Sequence, residues 1–295
     1  MSAIIKATGI SAAADLNSSI EHAVIAGKNC VEAAGIDMQE VNYIFNVGVY
    51  RDSNMVEPSM AALIQKGIGI NLDFTRFPVS SPAFSTDLMN GAAGAINAFH
   101  MADALFKAGR DGYVLVLSSD VHPSSAPAEG FGITPRGAAV LLAPGNGDTG
   151  FKQFVFKDTM DDYVGEASYV DFEQHKTTGR TNITVKKEAD FYERLMEFTT
   201  QTARNFIAEN KLDLSNTALI APSFTETFAK ELGKKLEFPG GSVVNIWAEH
   251  GNPHTSAFGL GFDHLKQNPD FGNYSQVLFV GAGAGLNASC ALYKR

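Results

Sequence analysis

Two stretches of this chain repeat one another in kind, and the repeat limits the possible folds more than any other feature. Residues 89–120, MNGAAGAINAFHMADALFKAGRDGYVLVLSSD, run from small residues through a helix pattern and a turn to an apolar strand. Residues 250–283, HGNPHTSAFGLGFDHLKQNPDFGNYSQVLFVGAG, run in the same order. Each is followed by one more strand rich in small residues, GAAVLLAP and LNASCALYK. Each is preceded by a strand leading into a helix, VNYIFNVGVY and NTALIAPSF. Self-similarity at this scale points to a duplicated architecture. Two similar βα halves are therefore expected, residues 1–148 and 149–295, joined near 145–150.

Strands are predicted over 4–8, 43–49, 113–118, 138–143, 151–156, 218–221, 243–247, 277–280 and 286–293. Helices are predicted over 17–34, 57–68, 91–109, 188–210, 224–236 and 254–267. Several strands are apolar throughout rather than alternating, as strands buried on both faces are. The alternation of the two element types predicts a layered α/β fold. Composition permits the core this needs: of 295 residues, 45% are hydrophobic and 19% charged, which excludes bulk disorder.

Charge narrows the function classes. With 23 Lys+Arg against 32 Asp+Glu the net charge is −9, which disfavours nucleic-acid binding and a polybasic membrane surface. The amino end, MSAIIKATGISAAAD, has no basic flank and no long apolar run, so it does not read as a secretory leader. No apolar string approaches the ~20 residues of a spanning helix. A cytoplasmic location is expected, with no membrane and no nucleic acid as partner. Two cysteines, Cys30 and Cys290, are too few for a disulfide scaffold, and both sit in apolar contexts that read as core. His22, His100, His175 and His264 lack metal-ligand spacing, so no metal is expected.

The small residues Gly91 to Ala95 at a helix start carry two readings. They let backbones pack closely, and they leave unpaired N–H groups and a positive dipole end facing a thiolate or an oxyanion. At these residues the sequence resembles the thiolase-fold condensing enzymes, in particular the β-ketoacyl-acyl-carrier-protein synthase III-like group. The resemblance covers nearly the whole chain: IIKATGI as first strand, EPSMAALIQKGIGI as second helix, and DLMNGAAGAINAFHMADALFKAGRDGYVLVLSSDV as nucleophile segment. FGITPRGAAVLLAP resembles the close of the first half, with Ile-Thr-Pro-Arg in place of the usual Gly-Asp-Gly-Ala. FVGAGAGLNASCAL resembles the Gly-rich loop and last strand. The resemblance implies a thiolase-like α-β-α-β-α fold and condensation of acyl thioesters in fatty acid or polyketide biosynthesis. It implies acyl-coenzyme A or acyl carrier protein as substrates and no tightly bound cofactor. It also implies a homodimer, or a heterodimer with a ketosynthase, paired through the strand at 84–87, with residues 71–82 near that interface.

The family's catalytic positions are altered. Its pattern Asp-Leu-x-x-x-Cys-x-Gly falls on Asp87 to Gly94, which puts Ala92 where the nucleophilic Cys belongs. A methyl group cannot form a thioester, so the chain as written is expected to be inactive by that route, whether the alanine is natural or an engineered replacement. The family His, which follows a Pro, falls on Ser223. Asn252 fits the family Asn, in a loop lengthened by Pro253 and His254. His254 either supplies the imidazole that Ser223 lacks or is a loop histidine making a backbone bond. The backbone of Ala92, Gly283 and Gly285 falls at the oxyanion positions. Two alternatives stand beside the enzyme reading: a non-catalytic partner of an active ketosynthase, and an acyl-binding protein.

Other features read as ordinary. GAGAG at 281–285 precedes a strand rather than a helix, against dinucleotide binding. Ser118, Ser119, Asp120 and His122 form a triad by letters only, because adjacent strand residues point in alternate directions. The charged stretch 157–187 reads as an insertion capping the substrate entrance, with Tyr163, Phe172 and His175 as candidate pocket residues.

Overall fold

A computed structural model of the chain describes residues 1–72, 82–123, 130–159, 161–176 and 182–295. It begins with β1 (Ser2–Ser11) and α1 (Ser19–Ala34). The Ser18 hydroxyl accepts from the Glu21 N–H to start α1, and Gly35 at φ 65° ends it. There follow β2 (Val41–Asn46), α2 (Met60–Ile68), β3 (Phe84–Asp87), α3 (Gly94–Lys107), β4 (Tyr113–Asp120) and β5 (Arg136–Gly145). These strands form one five-stranded sheet in the order β1-β5-β4-β2-β3. β2 runs parallel to β3 and β4, whereas β5 is antiparallel to β4 and β1.

The chain continues with β6 (Gly150–Asp158), β7 (Glu166–Tyr169), α4 (Phe172–His175), β8 (Thr184–Lys187), α5 (Phe191–Asn210), β9 (Thr217–Ile220) and α6 (Phe228–Lys235). It ends with β10 (Val243–Val244), α7 (Trp247–His250), α8 (Ala257–Gln267), β11 (Gln276–Gly283) and β12 (Asn287–Lys294). The second five-stranded sheet has the order β10-β9-β11-β12-β6. β9 is parallel to β10 and β11, and β12 antiparallel to β11 and β6. Strand for strand this repeats the first sheet, β6 standing for β1 and β12 for β5. The duplicated halves expected from the sequence are present.

Helices α3 and α8 pack between the sheets, α1 and α2 cover the outer face of the first, and α5 and α6 that of the second. This gives five alternating layers. The central core centres on Phe99, Phe151, Phe258 and Phe279, all with 1% exposure or less. Phe99 stacks on Phe151 at 5.1 Å and meets Phe279 edge-on at 5.7 Å. Each such ring contributes roughly 1.5–3 kcal/mol by leaving water. Gly9 lets α1 lie against β1, because a Cβ there would strike the backbone of Ala26 and Cys30.

Besides end shifts of three or four residues, as at β2, α2, α3, α5 and α6, three elements differ from expectation. The strand expected over 243–247 stops at Val244, because Asn245 turns its side chain to accept from the Trp247 N–H at 3.1 Å and α7 begins. The helix expected from 254 begins at Ala257, and His254–Ser256 make a single tight turn instead. The stretch 157–187 contains an antiparallel hairpin, β7 with β8, that no strand pattern announced.

Candidate active site

The loop after β2, the turn before α3, the end of β11 and the loop before α8 meet at one cavity of about 560 Å³. Ala92 sits on its wall with 1% exposure. The turn that presents it requires Gly91, whose φ is +50°. Asn252, His254 and Gly283 line the same cavity. Asn252 is 8% exposed, and its Oδ1 accepts from the His254 N–H at 3.1 Å.

The structure does not bring Ser223 and Gly285 to this wall. Ser223 is buried, and its hydroxyl donates to the Gly251 carbonyl at 2.9 Å, tying down the Asn252 loop from behind. Gly285 lies half-buried in a turn at φ +66°, where its N–H donates to the Val164 carbonyl at 3.1 Å and is not free for an oxyanion. Neither thiol lines the cavity. Burial pushes the Cys30 thiol up to about 12 and that of Cys290 higher still, so both stay protonated and inert.

The residue that sequence reasoning missed is Asp120, at the end of β4 and fully buried. Its Oδ1 accepts from the N–H groups of Val49 at 2.8 Å and Tyr50 at 2.7 Å. Its Oδ2 accepts from the N–H of Thr255 at 3.2 Å and from the Thr255 hydroxyl. His254 Nδ1 lies 3.2 Å from the same Oδ2. The contact is an ion-pair distance with no hydrogen bond formed at Nδ1. Burial alone would raise the Asp120 carboxyl, but His254 and the Thr255 and Tyr50 donors outweigh it and hold the group below its ordinary 3.8. The one available signal was a carboxylate closing a strand that is apolar over its first five residues, which is tolerated in a core only when paired. The neighbouring letters take other roles. The Ser118 hydroxyl donates to the Ala138 carbonyl at 3.1 Å, and the His122 ring packs edge-on against Phe131.

Above the site, Tyr50 packs against the His254 and Phe131 rings, and its hydroxyl bonds Ser168 of β7 at 2.9 Å. Burial raises that phenol to about 12. The β7–β8 hairpin forms one wall through Glu166, Ser168, Tyr169, Val185 and Lys187. Lys187 pairs with Glu166 at 2.7 Å and donates to the Tyr192 hydroxyl at 2.8 Å. The insertion thus borders the cavity, but not through Tyr163 or Phe172. Tyr163 turns away to stack under Arg194 and donate to Asp190, and Phe172 is 65% exposed. The His175 side chain lies outside the described residues, as does most of 71–82.

Among the described residues no group of three or more His, Cys, Asp or Glu is placed to hold a metal. No described helix is long and apolar enough to cross a membrane.

Two matched five-stranded sheets enclosing paired helices, with a cavity at the start of one of them, define the thiolase-like fold. The solved 3-oxoacyl-(acyl carrier protein) synthase III of Pseudomonas aeruginosa PAO1 superimposes with a TM-score of 0.81 at 16% identity, over 100% of this chain and 98% of that one. Xanthomonas campestris OleA, solved with bound lauric acid and lauroyl-CoA, superimposes with a TM-score of 0.73 at 15% identity, over 100% and 99%. In sequence, residues 207–295 match the family model described as 3-oxoacyl-[acyl-carrier-protein] synthase III C terminal. The β-ketoacyl-[acyl-carrier-protein] synthase III of a Wolbachia pipientis strain from Culex pipiens is 23% identical over 288 residues, spanning 92% of this chain and 82% of that protein. The chain thus has the thiolase-like fold, and its residues 207–295 are similar to the C-terminal part of the 3-oxoacyl-[acyl-carrier-protein] synthase III family.

Proposed function

We propose that this chain is a β-ketoacyl synthase III-like protein that binds an acyl thioester in the cavity without forming an acyl-enzyme. The observation that carries the reading is the methyl group of Ala92, at the cavity wall beside the start of α3, where the resemblance puts the nucleophilic cysteine. Both thiols of the chain are buried elsewhere. In this reading residues 1–148 supply the nucleophile side and 149–295 the side bearing Ser223, Asn252 and His254. The thioester oxygen faces the backbone of Ala92 and Gly283. The acyl group comes from coenzyme A or an acyl carrier protein, and its chain lies against the apolar residues of the wall, among them Val49, Met89, Phe131 and Ile133.

A second reading, a non-catalytic partner of an active ketosynthase, is favoured by β3. That strand forms a sheet edge and carries Phe84 at 57% exposure. Among the described residues this edge has no further strand beside it, and its exposed Phe84 suits pairing with another chain.

Lauroyl-CoA binding measured by calorimetry, together with the intact mass of the protein, tests the first reading. Wild type is expected to bind and to show no acyl adduct. Ala92→Cys is expected to gain the lauroyl mass. Absence of binding, or a lauroyl adduct on the wild type, would sink it.

A further inference from the structure

The reading above uses the cavity and the methyl of Ala92, and leaves the Asp120–His254 pair without a task. The pair joins a fully buried carboxylate from one half to an imidazole from the other that lines the cavity. A buried carboxylate is costly unless satisfied. Here Val49, Tyr50 and Thr255 satisfy it and also immobilise it, with Oδ2 held toward His254 Nδ1 at 3.2 Å. Nδ1 is buried beside Asp120 with no hydrogen-bond partner, which leaves Nε2 as the ring nitrogen to meet a ligand. Catalytic contacts of this kind are often imperfectly aligned until substrate binds. His254 is also held at φ +47°, in the left-handed region, which histidine tolerates better than most non-glycine residues. Ala92 and Asn252 line the same cavity.

We propose that His254 is the general base of a direct thioester hydrolysis, with Asp120 as the residue that positions its imidazole. The proposal rests on the reading that an acyl thioester occupies the cavity, and it supplies chemistry that does not need a cysteine. Water attacks the thioester carbonyl carbon: a C–O bond forms while one water proton passes to His254 Nε2. The tetrahedral intermediate collapses by breaking the C–S bond, and His254 returns the proton to the departing sulfur. A carboxylic acid and a free thiol result, with no change in oxidation state. Asp120 beside Nδ1 favours the tautomer that leaves the Nε2 lone pair facing the substrate and stabilises the transient imidazolium.

The test follows thiol release from lauroyl-CoA with a chromogenic disulfide reagent, alongside calorimetric binding. Wild type is expected to release coenzyme A with no acyl adduct on the protein. His254→Asn keeps a residue that tolerates left-handed backbone, and is expected to lose about 10²–10⁴-fold in kcat with an unchanged Kd. Asp120→Asn is expected to lower kcat while KM stays the same, a split that a merely structural anchor would not produce. Lauroyl-CoA bound by the wild type but never cleaved, or full kcat in His254→Asn, would overturn the proposal while leaving the binding reading intact. If lauroyl-CoA does not bind, both fail together.

Discussion

At the scale of single residues, Asp120 decides the most. Its carboxylate is anchored by backbone donors from two halves of the molecule, so truncation leaves several buried N–H groups unsatisfied. Asp120→Ala is expected to cost about 3 kcal/mol in urea unfolding at neutral pH. The group also contributes a pH dependence. Its folded value lies below the ordinary 3.8, so its stabilisation is complete above the unfolded value and disappears as pH falls through the folded one. Wild-type stability should therefore decline below about pH 4 more steeply than that of Asp120→Asn, as thermal unfolding across the acid range would show. The cysteines give an independent check. With the Cys30 thiol near 12, only on the order of one molecule in ten thousand is thiolate at pH 8. Neither Cys30 nor Cys290 is expected to take iodoacetamide in the native protein, and both should react in guanidinium.

Among the elements, β3 is short but holds two others in place. Asp87 at its end accepts from the N–H groups of Met60 at 3.0 Å and Ala61 at 2.8 Å, the first turn of α2, where Ser59 provides no side-chain cap. It also pairs with Arg51 at 3.0 Å, and Arg51 lines the cavity. One carboxylate therefore caps a helix, complements its dipole and steadies part of the site. Asp87→Asn keeps the shape but loses the charge, and is expected to cost about 1–3 kcal/mol, measurable as a lower urea midpoint. The β7–β8 hairpin shows the opposite balance. Its Glu166–Lys187 pair is partly exposed, so Lys187→Ala is expected to change global stability by at most about 1 kcal/mol. Because the same lysine borders the cavity, the larger effect should fall on lauroyl-CoA affinity. Equal affinity in the variant would mean that the hairpin does not touch the ligand.

For the whole molecule, duplication explains why one chain builds two similar sheets that differ at their edges. β3 carries exposed Phe84, whereas its counterpart β10 is only two residues long. At this end of the sheets the first thus retains a longer edge than the second, and dimerisation through β3 follows as an expectation. Phe84→Glu combined with Thr86→Lys should give monomers or aggregates in size-exclusion chromatography. An unchanged dimer peak would place the interface elsewhere.

The amino-acid order by itself determined the layered α/β class, the repeated halves and the lack of a thiol at the position the family resemblance marks. Each of these is written in local periodicity or in a single letter. Tertiary structure alone decided the site. The sequence placed Asp120 among letters of a false triad and left His254 with two readings. The two residues meet because β4 ends where the lengthened loop before α8 returns, and that loop is pinned from behind by Ser223. Strand register and loop path are set by packing between halves, which no local pattern records. For the same reason a strand cut short by the Asn245 side chain and a hairpin folded from a charged insertion were visible only once the layers had come together.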